Sequence, residues 1–338
     1  MKVILGFSGG VDSSVSAVLL RQAGWEVCGL YLDNGGEQAR QEAVEAAARM
    51  GFPLRVLDVR AELEDKVCAP FCAAYLRGET PNPCILCNPA VKFLALEREA
   101  ERLGAEAIAT GHYARAEGGA LFRGRSANDQ SYMLCRLTRS QLQKAVFPLG
   151  GYEKKDVRAM AEAFGLPAAH KPDSMEICFI PDKDYVGWLA RRAPLPEPGD
   201  FVFHGTVIGR HEGIVRYTVG QRRSGLYEGR KLYVSRIDAR ENTVELALWE
   251  ELFKTELQAR SFNWLVDEPS APLRASVRVR HTKWETPPCT VYPQEDGSVR
   301  IVCDEPVRAP APGQSAVLYD GERVLGGGFI CENKERGS

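Results

Sequence analysis

The chain has 338 residues, 44% of them hydrophobic and 26% charged, and a formal net charge of −2 at pH 7. That length suffices for two or three domains with a sizeable core, which excludes a disordered tail and a polycation that holds nucleic acid by bulk charge; any grip on a polyanion must come from local patches. No apolar run reaches bilayer length and Met1-Lys2 leads straight into apolar residues without a signal peptide, so no membrane partner, a cytoplasmic location and reduced thiols are expected for the ten cysteines.

The first element is a strand at Met1 to Leu5, where Val3-Ile4-Leu5 forms the continuous apolar run of a strand buried on both faces; Val15 to Ala23 then carries apolar residues at helical spacing. Between them lies Gly6-Phe7-Ser8-Gly9-Gly10-Val11-Asp12-Ser13-Ser14. Its glycines permit positive φ and close backbone approach, and the amides opening the helix face the turn, so the stretch reads as a phosphate cradle. Asp12 beside phosphates points to a Mg2+ held between them, and the absence of a Gly-Lys-Ser/Thr signature lowers the weight of kinases and GTPases. A second strand at Val27 to Leu32, a helix from Glu37 to Met50 and a third strand at Leu54 to Val59 continue a βαβαβ rhythm. A further strand at Ala107 to Thr110 ends in Gly111-His112-Tyr113. The rhythm predicts a parallel sheet with a ligand at the carboxyl ends of its strands. A turn and a helix follow over Ala145 to Leu166, with Lys154, Lys155 and Arg158 assigned to a solvated face.

A proline-rich linker, Ala193-Pro194-Leu195-Pro196-Glu197-Pro198, marks a boundary, after which short strands and turns dominate. The expected division is 1–193, 200–253 and 256–332: an α/β parallel-sheet domain, a β-rich domain and a small β-barrel.

Pro81-Asn82-Pro83-Cys84-Ile85-Leu86-Cys87-Asn88 places two thiols, expected on a rigid extended loop that opens a helix over Val91 to Leu103. A helix N-terminus stabilises a thiolate. Cys-x-x-Cys alone leaves a redox pair, half a zinc site and half an iron–sulfur site open, and Cys178 is a distant third candidate. Cys28 reads as a core residue, Cys68 and Cys72 as one buried helical face, and Cys135, Cys289, Cys303 and Cys331 as structural.

Eight spaced motifs carry a resemblance. They are the Ser-Gly-Gly-Val-Asp-Ser-Ser loop, Thr80 to Pro83, Leu86-Cys87-Asn88, Ala109 to Tyr113, Asn128 to Tyr132, Asp173-Ser174 with Ile177 to Ile180, Gly220-Gln221-Arg222 and Pro312 to Ala316. The loop resembles the PP-loop of ATP pyrophosphatases (adenine nucleotide alpha hydrolase-like), and the set in this order resembles the tRNA-specific 2-thiouridylases of the MnmA type. The resemblance implies ATP-dependent insertion of sulfur at C2 of the wobble uridine in the anticodon stem-loop of tRNA, with a protein as sulfur donor. It implies that Gly6, Phe7, Ser8, Gly9, Gly10, Val11, Asp12 and Ser13 bind ATP phosphates and that Leu32 and Gly111 contact adenosine. Cys178 would hold a persulfide and Cys87 would be its catalytic partner. Asn82, Pro83 and Cys84 would border the target base, while His112, Asn128, Asp129, Gln130, Arg280, His281 and Gln314 would touch tRNA.

Cys84 stands where the family usually has aspartate. It is a substitute proton carrier or resolving thiol in one reading; in the other, Cys84, Cys87 and Cys178 ligate a [4Fe–4S] cluster with one open iron. The segment after Leu32 also looks short for the family. Three basic groups, around Arg115 to Lys144, Arg210 to Arg223 and Arg274 to Lys283, would hold a long RNA, with Tyr113 or Tyr132 free either to stack on a flipped base or to pack in the core. Two rivals remain: a PP-loop amide or guanidino ligase acting on a small molecule, which needs neither Cys87 nor Cys178, and a non-catalytic RNA-binding protein.

Overall fold

The computed structural model describes residues 1–171, 177–225, 227, 229–281 and 286–332. Asp173, Ser174 and Lys283, singled out in the sequence, lie outside the described residues. In chain order the first elements are β1 (Lys2–Gly6), α1 (Val11–Gln22), β2 (Glu26–Asp33), α2 (Glu37–Met50), β3 (Leu54–Asp58), α3 (Arg60–Leu63), α4 (Ala69–Leu76), α5 (Pro83–Cys87), α6 (Leu94–Leu103), β4 (Ala107–Ala109), β5 (Ala114–Glu117), β6 (Ala120–Arg123), α7 (Arg139–Lys144), β7 (Ala145–Val146) and α8 (Lys154–Ala163).

One compact unit comprises Met1–Val67, Cys84–Phe179 and Glu322–Leu325. Its sheet has the order β3-β2-β1-β4-β7, and every neighbouring pair is parallel. The chain steps outward from β1 to β3 and then returns to β4 on the other side of β1. This reversal opens a crevice at the carboxyl ends of β1 and β4, where the loop from Gly6 to Val11 lies. Val3, Ile4 and Leu5 are fully buried, as their unbroken apolar run requires. Helix α1 is held on two sides: Ala17 and Leu20 belong to a cluster with Phe7, Ala43 and Ala47, while Val11 and Val15 pack with Val157 and Ala161 of α8. The extended loop expected at Cys84 and Cys87 is instead helical, since α5 begins at Pro83 and runs through a π stretch (Asn88–Phe93) into α6. Proline at a first helical position costs no hydrogen bond, so Pro83 starts the helix rather than preventing it. The stretch Glu322–Leu325 completes this unit: Arg323 pairs with Phe122 of β6, Arg123 N donates to Glu322 O at 2.8 Å, and Arg115 bonds the Glu322 carboxylate.

The second unit comprises Cys68–Pro83, Ile180–Gly321 and the chain from Gly326. After α9 (Tyr185–Ala190) it contains β8 (Gly199–Phe203), β9 (Thr206–His211), β10 (Arg222–Ser224), β11 (Lys231–Asp238) and β12 (Thr243–Ala247). These form a mixed sheet of order β10-β11-β12-β8-β9, with β12 and β8 parallel. There follow β13 (Phe253–Trp264), β14 (Leu273–Arg278), β15 (Pro288–Pro293), β16 (Val299–Arg308), β17 (Ser315–Asp320) and β18 (Arg323–Cys331). The order β13-β16-β15-β14-β17-β18 closes through β13–β18 into a six-stranded antiparallel barrel. Alternation fills its interior with Leu257, Ala259, Cys289, Val291, Ile301 and Cys303, all buried. Among the described residues no helix is long and apolar enough to cross a membrane.

Candidate active site

The turn after β1 needs glycine at one position for two reasons. Gly9 has φ +73°, and a Cβ there would lie 2.9 Å from Ala43 Cα of α2. The turn is tied by hydroxyls: Ser13 Oγ donates to Gly10 O at 3.1 Å, and Ser8 N donates to Ser13 Oγ at 3.3 Å. No side chain caps α1 at Gly10, so its opening amides, with their share of the helix dipole, face the crevice as an anion nest. Ser14 Oγ is buried without a hydrogen-bond partner. Gly111, just beyond β4, abuts the loop, and a Cβ there would come within 3.1 Å of the Asp12 backbone. Leu32 is half-buried near the carboxyl end of β2.

Asp12 is engaged on both oxygens. Lys154 Nζ lies 2.8 Å from each, and Tyr113 donates its hydroxyl to Oδ1 at 2.8 Å. A Mg2+ on Asp12 would have to displace the ammonium that occupies the carboxylate here. Lys154 was assigned to a solvated face, yet Val157 and Ala161 at i+3 and i+7 set it on the buried side of α8. That spacing was the available signal. Arg158 is likewise turned inward, donating to Ala169 O and Lys171 O, whereas Lys155 is exposed. Tyr113 and Tyr132 are buried, so neither is a base-stacking platform.

The thiols lie in this same unit. Cys84 and Cys178 are exposed and Cys87 is half-buried. Cys178 O accepts from Asn34 Nδ2 at 3.2 Å. Burial pushes the Cys87 thiol up to about 11; Lys92 opposes this, with its ammonium and with a backbone N–H on the sulfur, while Cys178 and Cys84 add to the rise. Although Cys178 is exposed as a residue, neighbouring protein atoms partly desolvate its thiol and raise it, with Cys84 adding and Lys92 opposing. The thiolate stabilisation expected of a helix N-terminus is therefore overridden by desolvation. The distant Cys178 is thus near enough to Cys87 to bear on it electrostatically. Among the described residues, however, no group of three or more Cys, His, Asp or Glu side chains is gathered to hold a metal ion.

The residues expected at tRNA divide into exposed and structural ones. His112 Nδ1 lies 2.7 Å from Thr110 Oγ1, its ring stacks on Phe93, and burial, with Lys92 adding, holds its pKa well below the usual value, so the imidazole is neutral. Asn128 is exposed. Asp129 uses its carboxylate on Gly124 N, Ser131 N and Ser131 Oγ, and Gln130 Oε1 accepts from Tyr113 N; both shape the loop. In the second unit, Asn82 is half-buried and Pro83 buried. Arg280 donates to Val219 O and Ala309 O, Gln314 donates to Thr80 O, and His281 is exposed. His211, counted within a basic group, is instead buried.

Comparison with known proteins places these features in one lineage. A family model described as the tRNA methyl transferase HUP domain matches residues 1–182, a tRNA methyl transferase PRC-barrel domain matches 189–247, and an aminomethyltransferase beta-barrel domain matches 254–330. The chain is 44% identical to the tRNA-specific 2-thiouridylase MnmA of Syntrophotalea carbinolica, covering 97% of this chain and 98% of that protein. It is 41% identical to tRNA-specific 2-thiouridylase MnmA 2 of a Thermoanaerobacter species, covering 97% of each, and 39% identical to the Clostridium acetobutylicum MnmA, covering 97% and 99%.

Proposed function

The chain belongs to the tRNA-specific 2-thiouridylases, an ATP-using enzyme family with tRNA as substrate, and from that premise we propose how its residues divide the reaction. The loop from Gly6 to Ser13 holds the phosphates of ATP, with Leu32 and Gly111 at the adenosine. Uridine O2 attacks the α-phosphorus, an O–P bond forms, and pyrophosphate leaves with the bridging electron pair. The opening amides of α1 and the loop hydroxyls stabilise the charge that develops. Any Mg2+ comes with the nucleotide's phosphates.

The terminal sulfur of a Cys178 persulfide then attacks C2 and AMP departs. Cys87 as thiolate attacks Cys178 Sγ, which forms a Cys87–Cys178 disulfide and releases 2-thiouridine; an external thiol reduces the enzyme for the next turn. A sulfur-donor protein recharges Cys178 in the cytoplasm. Asn82, Pro83 and Cys84 border the base, and Asn128, His281 and the exposed Arg222 meet tRNA. In the division into 1–193, 200–253 and 256–332 the chemistry falls to the first module, and all three modules contact the RNA.

What supports this reading is that Cys87 and Cys178, far apart in sequence, lie in the one unit that carries the phosphate loop, with Cys178 near enough to bear on the Cys87 thiol. In the Cys178→Ser variant tRNA-dependent pyrophosphate release should persist while 2-thiouridine, measured by nucleoside mass spectrometry, disappears. Full thiolation by that variant would refute the persulfide role, and pyrophosphate release driven by a small amine or acid instead of tRNA would favour the ligase. Iron and sulfide analysis after anaerobic purification tests the cluster alternative, which active, iron-free enzyme would end.

A further inference from the structure

We propose that Lys154 is a catalytic residue of the ATP-dependent step: it holds Asp12 in the free enzyme and swings its ammonium, still protonated, onto the departing pyrophosphate when nucleotide is bound. The inference rests on the reading of the Gly6 to Ser13 loop as the nucleotide site.

Four observations carry it. The ammonium bridges both Asp12 oxygens, occupying the place a divalent cation would take on a carboxylate at the mouth of an anion nest. Its side chain is only 17% exposed, and Nζ lies 5.7 Å from the Tyr113 ring centroid, so the aromatic face and the carboxylate define a polarised slot. Helix α8 is locked on α1 by Val157 and Ala161 against Val11 and Val15, which fixes the root of the side chain over the first turn of α1. A carboxylate at that turn would repel a polyphosphate, so a nucleotide loop that keeps Asp12 needs a cation to travel with it.

During adenylation the Pα–O–Pβ bond breaks and its electron pair goes to a pyrophosphate oxygen. Lys154 keeps its proton and compensates that charge, so no proton, electron or further reactant is needed. Lysine suits the task as a compact point charge on a flexible stem, able to leave one anion for another a short distance away.

The test separates phosphate binding from folding. Binding of inorganic pyrophosphate and of AMP would be measured separately by calorimetry on wild type, Lys154→Ala, Lys154→Arg and the double variant Lys154→Ala/Asp12→Asn, alongside tRNA-dependent pyrophosphate release and melting temperature. Lys154→Ala should lose about 10- to 100-fold in pyrophosphate affinity, hold AMP within about twofold, and release pyrophosphate about 100- to 1,000-fold more slowly, the range found when one charge-stabilising donor is removed. Lys154→Arg should recover part of each loss, and the double variant should remain defective. Unchanged pyrophosphate affinity in Lys154→Ala overturns the proposal. So does full restoration by Asp12→Asn, which would mean that the lysine only neutralises Asp12, or a parallel loss of AMP binding with a fallen melting temperature. Wild type that binds neither AMP nor pyrophosphate in competition with ATP would instead refute the nucleotide assignment itself.

Discussion

Cys87 should be a slow nucleophile in the free enzyme, and by a calculable margin. Burial carries its thiol from an ordinary 9.0 to about 11. At pH 8 the thiolate fraction is then about one in a thousand, against about one in ten for an unperturbed thiol, a deficit of about 100-fold. A more basic thiolate attacks harder, and with a Brønsted coefficient of about 0.4–0.5 two pKa units return about eightfold. The population effect wins, leaving Cys87 roughly tenfold slower than an exposed thiol before any steric hindrance is counted. Iodoacetamide labelling followed by tandem mass spectrometry, which separates Cys84 from Cys87 within one peptide, would read this directly. The Cys87 rate should climb about tenfold per pH unit to about pH 10 without levelling. Replacing Lys92 with methionine removes the principal opposing influence and should slow labelling further. A Cys87 rate that levels off by pH 9, or that rises in Lys92→Met, would refute the reasoning.

His211 supplies a pH prediction. Its Nδ1 accepts from Gly199 N and Gly213 N while Nε2 donates to Asn242 O, an arrangement only the neutral ring satisfies, and burial lowers its pKa. The native state therefore takes up the proton less readily than the unfolded chain: stability is full above about 6.5 and is lost as pH falls from there toward the native value. Melting temperature should fall between pH 7 and 5, less steeply in His211→Gln, and an unchanged slope in that variant would remove His211 as a cause; His112 shares the sign and supplies a residual slope. Gly9→Ala combines a left-handed residue, costing about 1–2 kcal/mol, with a 2.9 Å approach to the α2 backbone. It should lose about 2 kcal/mol or more in urea denaturation, and stability within about 0.5 kcal/mol of wild type would show that α2 yields easily.

The sequence is most legible where one force acts alone. Helix α2 has the limits expected of it, and β1 and β2 follow from unbroken apolar runs. The two-residue β7 shows no periodicity because it is too short to have one. Sites where two forces compete were misread. Pro83 both restricts the chain and opens a helix, and only the fold decides which matters. Cys87 sits near a helix start yet is desolvated, and desolvation prevails. Charge suggested solvent for Lys154 and His211, but Lys154 found a carboxylate and His211 found three backbone groups. Local composition reports the cost of burying a polar group; it does not report the partner that offsets it.

The late stretch Glu322–Leu325, which pairs with β6 and bonds Arg115 and Arg123 in the first unit, bears on synthesis. A growing polypeptide exposes β6 and the Arg115 guanidinium about two hundred residues before Glu322 leaves the ribosome, so the hairpin of β5 and β6 must wait, with one edge open, until Glu322 and Arg323 have been made. A message cut short before the codon for Glu322 yields a chain in which the nucleotide-side unit lacks its closing piece.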